Sequence, residues 1–361
     1  MKARFTRTCR RNASRQVAHR SSGFRSWAFV WLAILVLTLT AASPCGAAVI
    51  QETFATDPAE RGWSAFGEAS LFRWNSINQN LDVTWDSSRT NSFFHLPLGT
   101  IVTKADDFSF SFDVCLSDIR LGNTPGKSNE FQIAIGLLNS AGATHSNTFR
   151  GAGQHSTYGV RNLIEFDYFP DAGFGETFAT TVVSTNNRIY PAHNFPLRMT
   201  AGDTFRITFS YTASNQLLRT TATKNGAAFG MPPNNTMTDV SLAGKNDFRV
   251  DSFAVISYSD AIQTGPAAFH GSVLAHGSVD NVQVVVPGPP VSDLLLTSVD
   301  SAWQAQFISA TNWAYSLERS SDLLLWTTTS TAGTGTGAQL SLQDTSPSAA
   351  TSFYRIRAER P

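Results

Sequence analysis

The chain has 361 residues, 42% hydrophobic and 15% charged, with 27 basic and 27 acidic side chains that cancel. The charge is unevenly placed. Lys2, Arg4, Arg7, Arg10, Arg11, Arg15, Arg20 and Arg25 fall in the first 48 positions with no acid among them, which leaves 19 basic against 27 acidic residues beyond, about −8. That deficit argues against a nucleic-acid partner, which needs clustered Lys and Arg.

In chain order, the basic stretch is followed by an apolar run from Trp27 to Ala42 and by Gly46-Ala47-Ala48, the pattern of a signal peptide over residues 1–48 with cleavage after Ala48. The run is shorter than the roughly 20 residues needed to span a bilayer, so a secreted or cell-surface chain without a stable membrane anchor is expected. Cys9 and Cys45 lie in this segment. Cys115 is then the one cysteine left, no intramolecular disulfide forms, and the fold depends on its core.

Beyond residue 48, short alternating runs recur between clusters of Gly, Asn, Asp, Pro and Ser. Strands are expected at 81–85, 108–116, 131–137, 163–169, 177–184, 205–211, 217–223, 248–258 and 279–286, enough for two packed antiparallel sheets. Long polar loops are expected at 123–129, 141–160 and 225–239. Pro287-Gly288-Pro289-Pro290 reads as a stiff linker over 287–292, and residues 293–361 carry a second pattern of about six short strands. The fold class is therefore all-β: an antiparallel β-sandwich over 49–286, then a small β-sandwich.

The most informative segment is Glu165-Phe166-Asp167-Tyr168-Phe169-Pro170-Asp171. On a strand, Glu165, Asp167 and Phe169 share one face while Ile164, Phe166 and Tyr168 take the other. Three readings of the acids stand open: a solvated face and turn, a Ca²⁺ site, or a catalytic pair. Elsewhere, Gly122 to Ser128 is one residue short of a phosphate loop, and neither Gly-x-Ser-x-Gly nor His-Glu-x-x-His occurs. His95, His145, His155, His193, His270 and His276 are scattered and read as polar loop residues.

Thr53-Phe54 with Gly62-Trp63 at the start, and Asp280-Asn281-Val282-Gln283-Val284 at the close, resemble the concanavalin A-like lectin/glucanase jelly roll. The stretch Tyr315-Ser316-Leu317-Glu318-Arg319-Ser320, Trp326 and Phe353-Tyr354-Arg355 resembles the fibronectin type III-like modules of secreted bacterial envelope proteins. The first resemblance, to leguminous-type lectins, implies Ca²⁺ held by Glu165, Asp167, the Phe169 carbonyl, Asp171 and Glu176, and places Thr181 where the family carries a transition-metal His. It implies carbohydrate contact near Glu130; apart from it, Tyr168 and Phe174 as aromatic platforms and Asn187 as a short polar side chain are further candidates for sugar contact. A laminarinase-type hydrolase would need a second Glu at 169 or 170, where Phe169 and Pro170 stand. The expected function is a secreted lectin-like protein that binds a glycan or cell-surface polysaccharide without cleaving it. The alternatives are a structural or adhesive envelope protein and a divergent glycoside hydrolase or lyase.

Overall fold

The computed structural model describes residues 47–121, 133–143, 161–172, 175–258, 273–299, 301–347 and 352–360. Strands dominate: β1 (Ala48–Glu52), β2 (Ser64–Phe66), β3 (Phe72–Asn75), β4 (Asn80–Asp86), β5 (Ser92–Val102), β6 (Phe108–Leu121), β7 (Ile133–Leu138), β8 (Leu163–Ala172), β9 (Gly175–Val183), β10 (Ile189–Asn194) and β11 (Thr204–Thr212). They continue as β12 (Leu217–Lys224), β13 (Ala227–Phe229), β14 (Val240–Ser241), β15 (Val250–Ser257), β16 (Val273–Val286), β17 (Val291–Val299), β18 (Ala302–Ser309), β19 (Ala314–Ser320), β20 (Thr327–Thr334), β21 (Gln339–Asp344) and β22 (Phe353–Glu359).

Two large antiparallel sheets form a sandwich. One runs β13-β12-β11-β6-β16-β4-β3, with β1 beside β16 and β14 beside β12, and the other runs β10-β9-β8-β7-β15-β5-β2. The alternation explains the packing: Phe108, Phe110, Phe112 and Val114 of β6 are buried, while Ser109 and Asp113 face outward. Phe253 of the seven-stranded sheet meets Phe110 and Phe112 of the other sheet at ring distances of 6.2 and 6.3 Å. Each fully buried aromatic of this kind contributes roughly 1.5–3 kcal/mol over leaving it in water. The expected loop at 225–239 contains the short strand β13, and of the six scattered histidines His95, His193 and His276 stand in β5, β10 and β16 rather than in loops.

The chain after Val286 forms two three-stranded sheets, β17-β18-β21 and β20-β19-β22, around Phe307, Trp313, Tyr315, Leu317 and Leu342. The Tyr315 hydroxyl ties its near end, donating to the Pro290 carbonyl at 2.6 Å and accepting from the Ala310 amide at 2.8 Å. Arg360, just past β22, reaches the large sandwich. Its guanidinium donates to the Ile101 carbonyl and to Asp106, both at 2.7 Å, with the two charged side chains 5% and 11% exposed. Residues 45–361 thus form one compact unit that contains both apolar cores.

Candidate functional site

Strand β8 lies between β7 and β9 in the seven-stranded sheet, and it splits as its alternation requires. Ile164, Phe166 and Tyr168 point into the sandwich, where Phe166 and Tyr168 meet Phe178 edge-on at 5.1 and 5.6 Å. Tyr168 is therefore a core residue rather than a sugar platform. It is 2% exposed, its hydroxyl accepts the Met199 amide at 3.3 Å, and burial pushes its phenol up to about 12.

Glu165 and Asp167 share the other face, but that face is not solvated, since both acids are fully buried. The cross-strand register places Gly136 and Thr181 beside Glu165, and Ala134 and Ala179 beside Asp167. Small neighbours leave room for the two carboxyls within the layer. Tyr258 donates its hydroxyl to Glu165 Oε2 at 2.9 Å, and Thr181 donates to Asp167 Oδ2 at 2.5 Å. Thr181 thus holds an acid where the lectin pattern would put a metal-binding His. At the far side of the same row, the His95 imidazole is held below its ordinary value by burial, against the opposing pull of Asp251. Removing the hydroxyl donor of this enclosed pair should be costly: Tyr258→Phe is expected to lower unfolding free energy by about 1–3 kcal/mol in urea titration.

The remaining candidates do not gather around these acids. Phe169 is half-buried with its ring edge-on to His193 at 6.4 Å. Glu176 falls on the opposite face of the sheet from Asp167, in the parity of Phe178, and lies 3.5 Å from Arg198. Asn187 takes a left-handed conformation (φ 62°) in the turn between β9 and β10, with its amide donating to the Ser184 carbonyl. Glu130, Phe174 and the side chain of Asp171 lie outside the described residues. A Ca²⁺ ion wants six to eight oxygens converging on one point. The described residues do not fit that requirement, with two carboxylates on one face, Glu176 on the other, and no cluster of three or more His, Cys, Asp or Glu among them.

An open groove lies instead on the outer face of the nine-stranded sheet. It has a volume of about 390 Å³ and is lined by Ser70, Arg73, Asp82, Thr84, Ser117 and His276 around Leu71, Val83 and Gly277. Its shape comes from a bulge: His276 pairs with Asp118 and Gly277 with Leu116, so Ser117 is an extra residue in β6. Gly277 is required there, because a Cβ would sit 2.4 Å from the Cys115 carbonyl oxygen. The displaced Ser117 hydroxyl donates to the His276 carbonyl at 3.0 Å, and Asp118 lies 2.9 Å from His276 Nδ1. Across the groove Arg73 and Asn75 donate to Asp82 Oδ2 at 2.7 and 3.1 Å. Arg73, Asp82 and the His276 imidazole stand among hydroxyls, so the wall offers both donors and acceptors. This site is assembled from β3, β4, β6 and β16, and the alternation of any one strand does not announce it.

No protein-family model matches the sequence, and no curated protein matches it. Among solved structures the chain is similar to peanut lectin with a nine-residue peptide, at 13% identity and TM-score 0.41 over 66% of this chain and 98% of the lectin. It is similar to basic winged bean lectin with Tn-antigen, at 12% identity and TM-score 0.39 over 67% and 100%. Arcelin-5, a lectin-like defense protein from Phaseolus vulgaris, gives 12% identity and TM-score 0.40 over 67% and 98%.

Proposed function

We propose that this chain is a secreted or surface-exposed lectin-like protein that binds a neutral carbohydrate without cleaving it, and that the ligand occupies the groove on the outer face of the nine-stranded sheet. The supporting observation is the balance of the groove wall, where Arg73 stands against Asp82 and His276 against Asp118, among the hydroxyls of Ser70, Thr84 and Ser117. A sugar presents vicinal hydroxyls that donate and accept together, and a wall carrying both donors and acceptors answers them. The groove volume lies within the roughly 300–1,000 Å³ of small-ligand sites. Binding is favoured over cleavage because Glu165 and Asp167, on which a retaining mechanism would depend, are enclosed and engaged by Tyr258 and Thr181.

A panel of neutral oligosaccharides, followed by calorimetry on the best ligand, tests the reading. Asp82→Ala is expected to weaken affinity about 10- to 100-fold, the size of losing a hydrogen bond to a charged group, with only a small drop in the unfolding midpoint from the lost contacts to Arg73 and Asn75. Folded protein that takes no sugar on the panel, or that binds equally well without Asp82, would refute it.

A further inference from the structure

The end of the C-terminal sandwich remote from Arg360 carries several exposed apolar side chains, as the middle of β17 does at Leu294, Leu295 and Leu296. Leu323, Leu324 and Leu325, between β19 and β20, are 54%, 82% and 77% exposed. Phe353 at the start of β22 pairs with Ser320 at the end of β19, and Trp303 at the start of β18 lies 6.0 Å from the Tyr354 ring, so Phe353 and Trp303 are at this same end. Val299, at the turn into β18, joins them and is likewise exposed. The opposite end is where Tyr315 holds Pro290 and Arg360 holds Asp106.

The leucines are presented by a fixed loop. Leu324 and Leu325 amides donate to Asp322 Oδ1 at 2.8 and 2.9 Å, and the Leu323 amide donates to Ser320 Oγ at 2.8 Å. Those two amides also hold the Asp322 carboxyl below its ordinary range. Directly behind the leucines, Trp326 donates to the Leu323 carbonyl at 3.2 Å and carries the Arg355 guanidinium 4.2 Å from its ring. An apolar tip backed by a Trp and an Arg is the arrangement that matches a bilayer, with tails, interface and headgroups met in turn. The nearby arginines are paired, Arg319 with Asp344, and Arg355 and Arg357 with Glu318, while the Asp322 carboxylate at the base of the loop is held by main-chain amides.

We propose that this tip inserts reversibly into the surface of a neutral lipid bilayer, with Leu323, Leu324 and Leu325 as the inserted residues. The contact is apolar and weak in a single copy, because burying a few leucines gives an affinity of the order of one acyl chain. It runs through a different part of the molecule from the sugar groove, and phosphatidylcholine carries no sugar, so either reading can fail alone.

The test is flotation of the 45–361 unit with phosphatidylcholine vesicles. Binding is expected, unchanged in high salt, and Leu324→Asp with Leu325→Asp should reduce the partition coefficient at least about 10-fold. Ile77→Asp, at a 90% exposed apolar residue elsewhere, should leave binding unchanged. Near-ultraviolet circular dichroism verifies that the variants are folded, and quenching of tryptophan emission by shallowly brominated lipid should fall in the double variant. The proposal is overturned by folded protein that ignores phosphatidylcholine, by a double variant that floats like the parent, or by binding confined to anionic vesicles and lost in salt.

Discussion

Gly136→Ala is expected to cost about 3 kcal/mol of stability, at the upper end of what overpacking does to a core, and to drive much of the protein into the insoluble fraction. The reason is backbone rather than side chain. A Cβ at this position would lie 2.2 Å from the Ile164 carbonyl oxygen and 2.6 Å from the Glu165 Cα, and neither can swing aside as the end of a flexible side chain could. Gly136 pairs with Glu165 on β8 and with Ala254 on β15, so relief would have to part central strands of the seven-stranded sheet. Urea titration of Gly136→Ala beside Gly333→Ala, where the added methyl meets nothing within 4 Å, separates a packing clash from a general glycine effect. Equal midpoints for the two variants would contradict this account.

The second large effect is expected at Asp106. Asp106→Ala strands the guanidinium of Arg360 at 5% exposure, and breaking a buried pair from one side typically costs about 3–5 kcal/mol. Part of the loss should appear as early release of the C-terminal sandwich, which Arg360 otherwise ties to Ile101 and Asp106 while stacking on Trp313 at 5.6 Å. Replacing both partners with apolar residues, Asp106→Leu with Arg360→Met, should recover the part of the loss that comes from the uncompensated charge, while the Thr103 amide and hydroxyl still lose their acceptor. A double-mutant cycle read by denaturant unfolding measures the coupling. A cycle that sums to zero would mean that the contact does not hold the two parts together.

Half-buried strands are legible in the sequence because each writes its environment residue by residue. In β11, Phe205, Ile207, Phe209 and Tyr211 are all buried while Arg206, Thr208 and Ser210 are less so, and the alternation alone places it. β5 is not legible in this way. Its Ser92–Val102 stretch has adjacent phenylalanines, Pro97, and Gly99 at a φ of 71°, so no period survives, and it is defined instead by pairing with β15. At the acid strand, alternation correctly separates Glu165 and Asp167 from Phe166 and Tyr168. It does not say whether the acid face meets water, because period 2 reports relative direction and not cover. The groove is harder still. Arg73, Asp82, Ser117 and His276 come from four strands spread over 200 positions of sequence, and the one local trace of the site is a glycine, Gly277, inside an otherwise ordinary strand.

The extra residue at Ser117 has a consequence for how such a surface can change. Before it, the even-numbered Phe108, Phe110, Phe112 and Val114 of β6 point into the sandwich core; after it, Ile119 faces Ala275 inside while Asp118 and Arg120 look outward. One inserted residue therefore inverts the code of everything downstream in the strand. The outer wall of the groove rests on an extra residue in one strand, so the place of Asp118 beside His276 is set by the bulge and not by the type of any single side chain. A comparison of related chains that scores only exchanges at aligned positions would overlook it; a gap of one residue opposite Ser117 is the mark to look for.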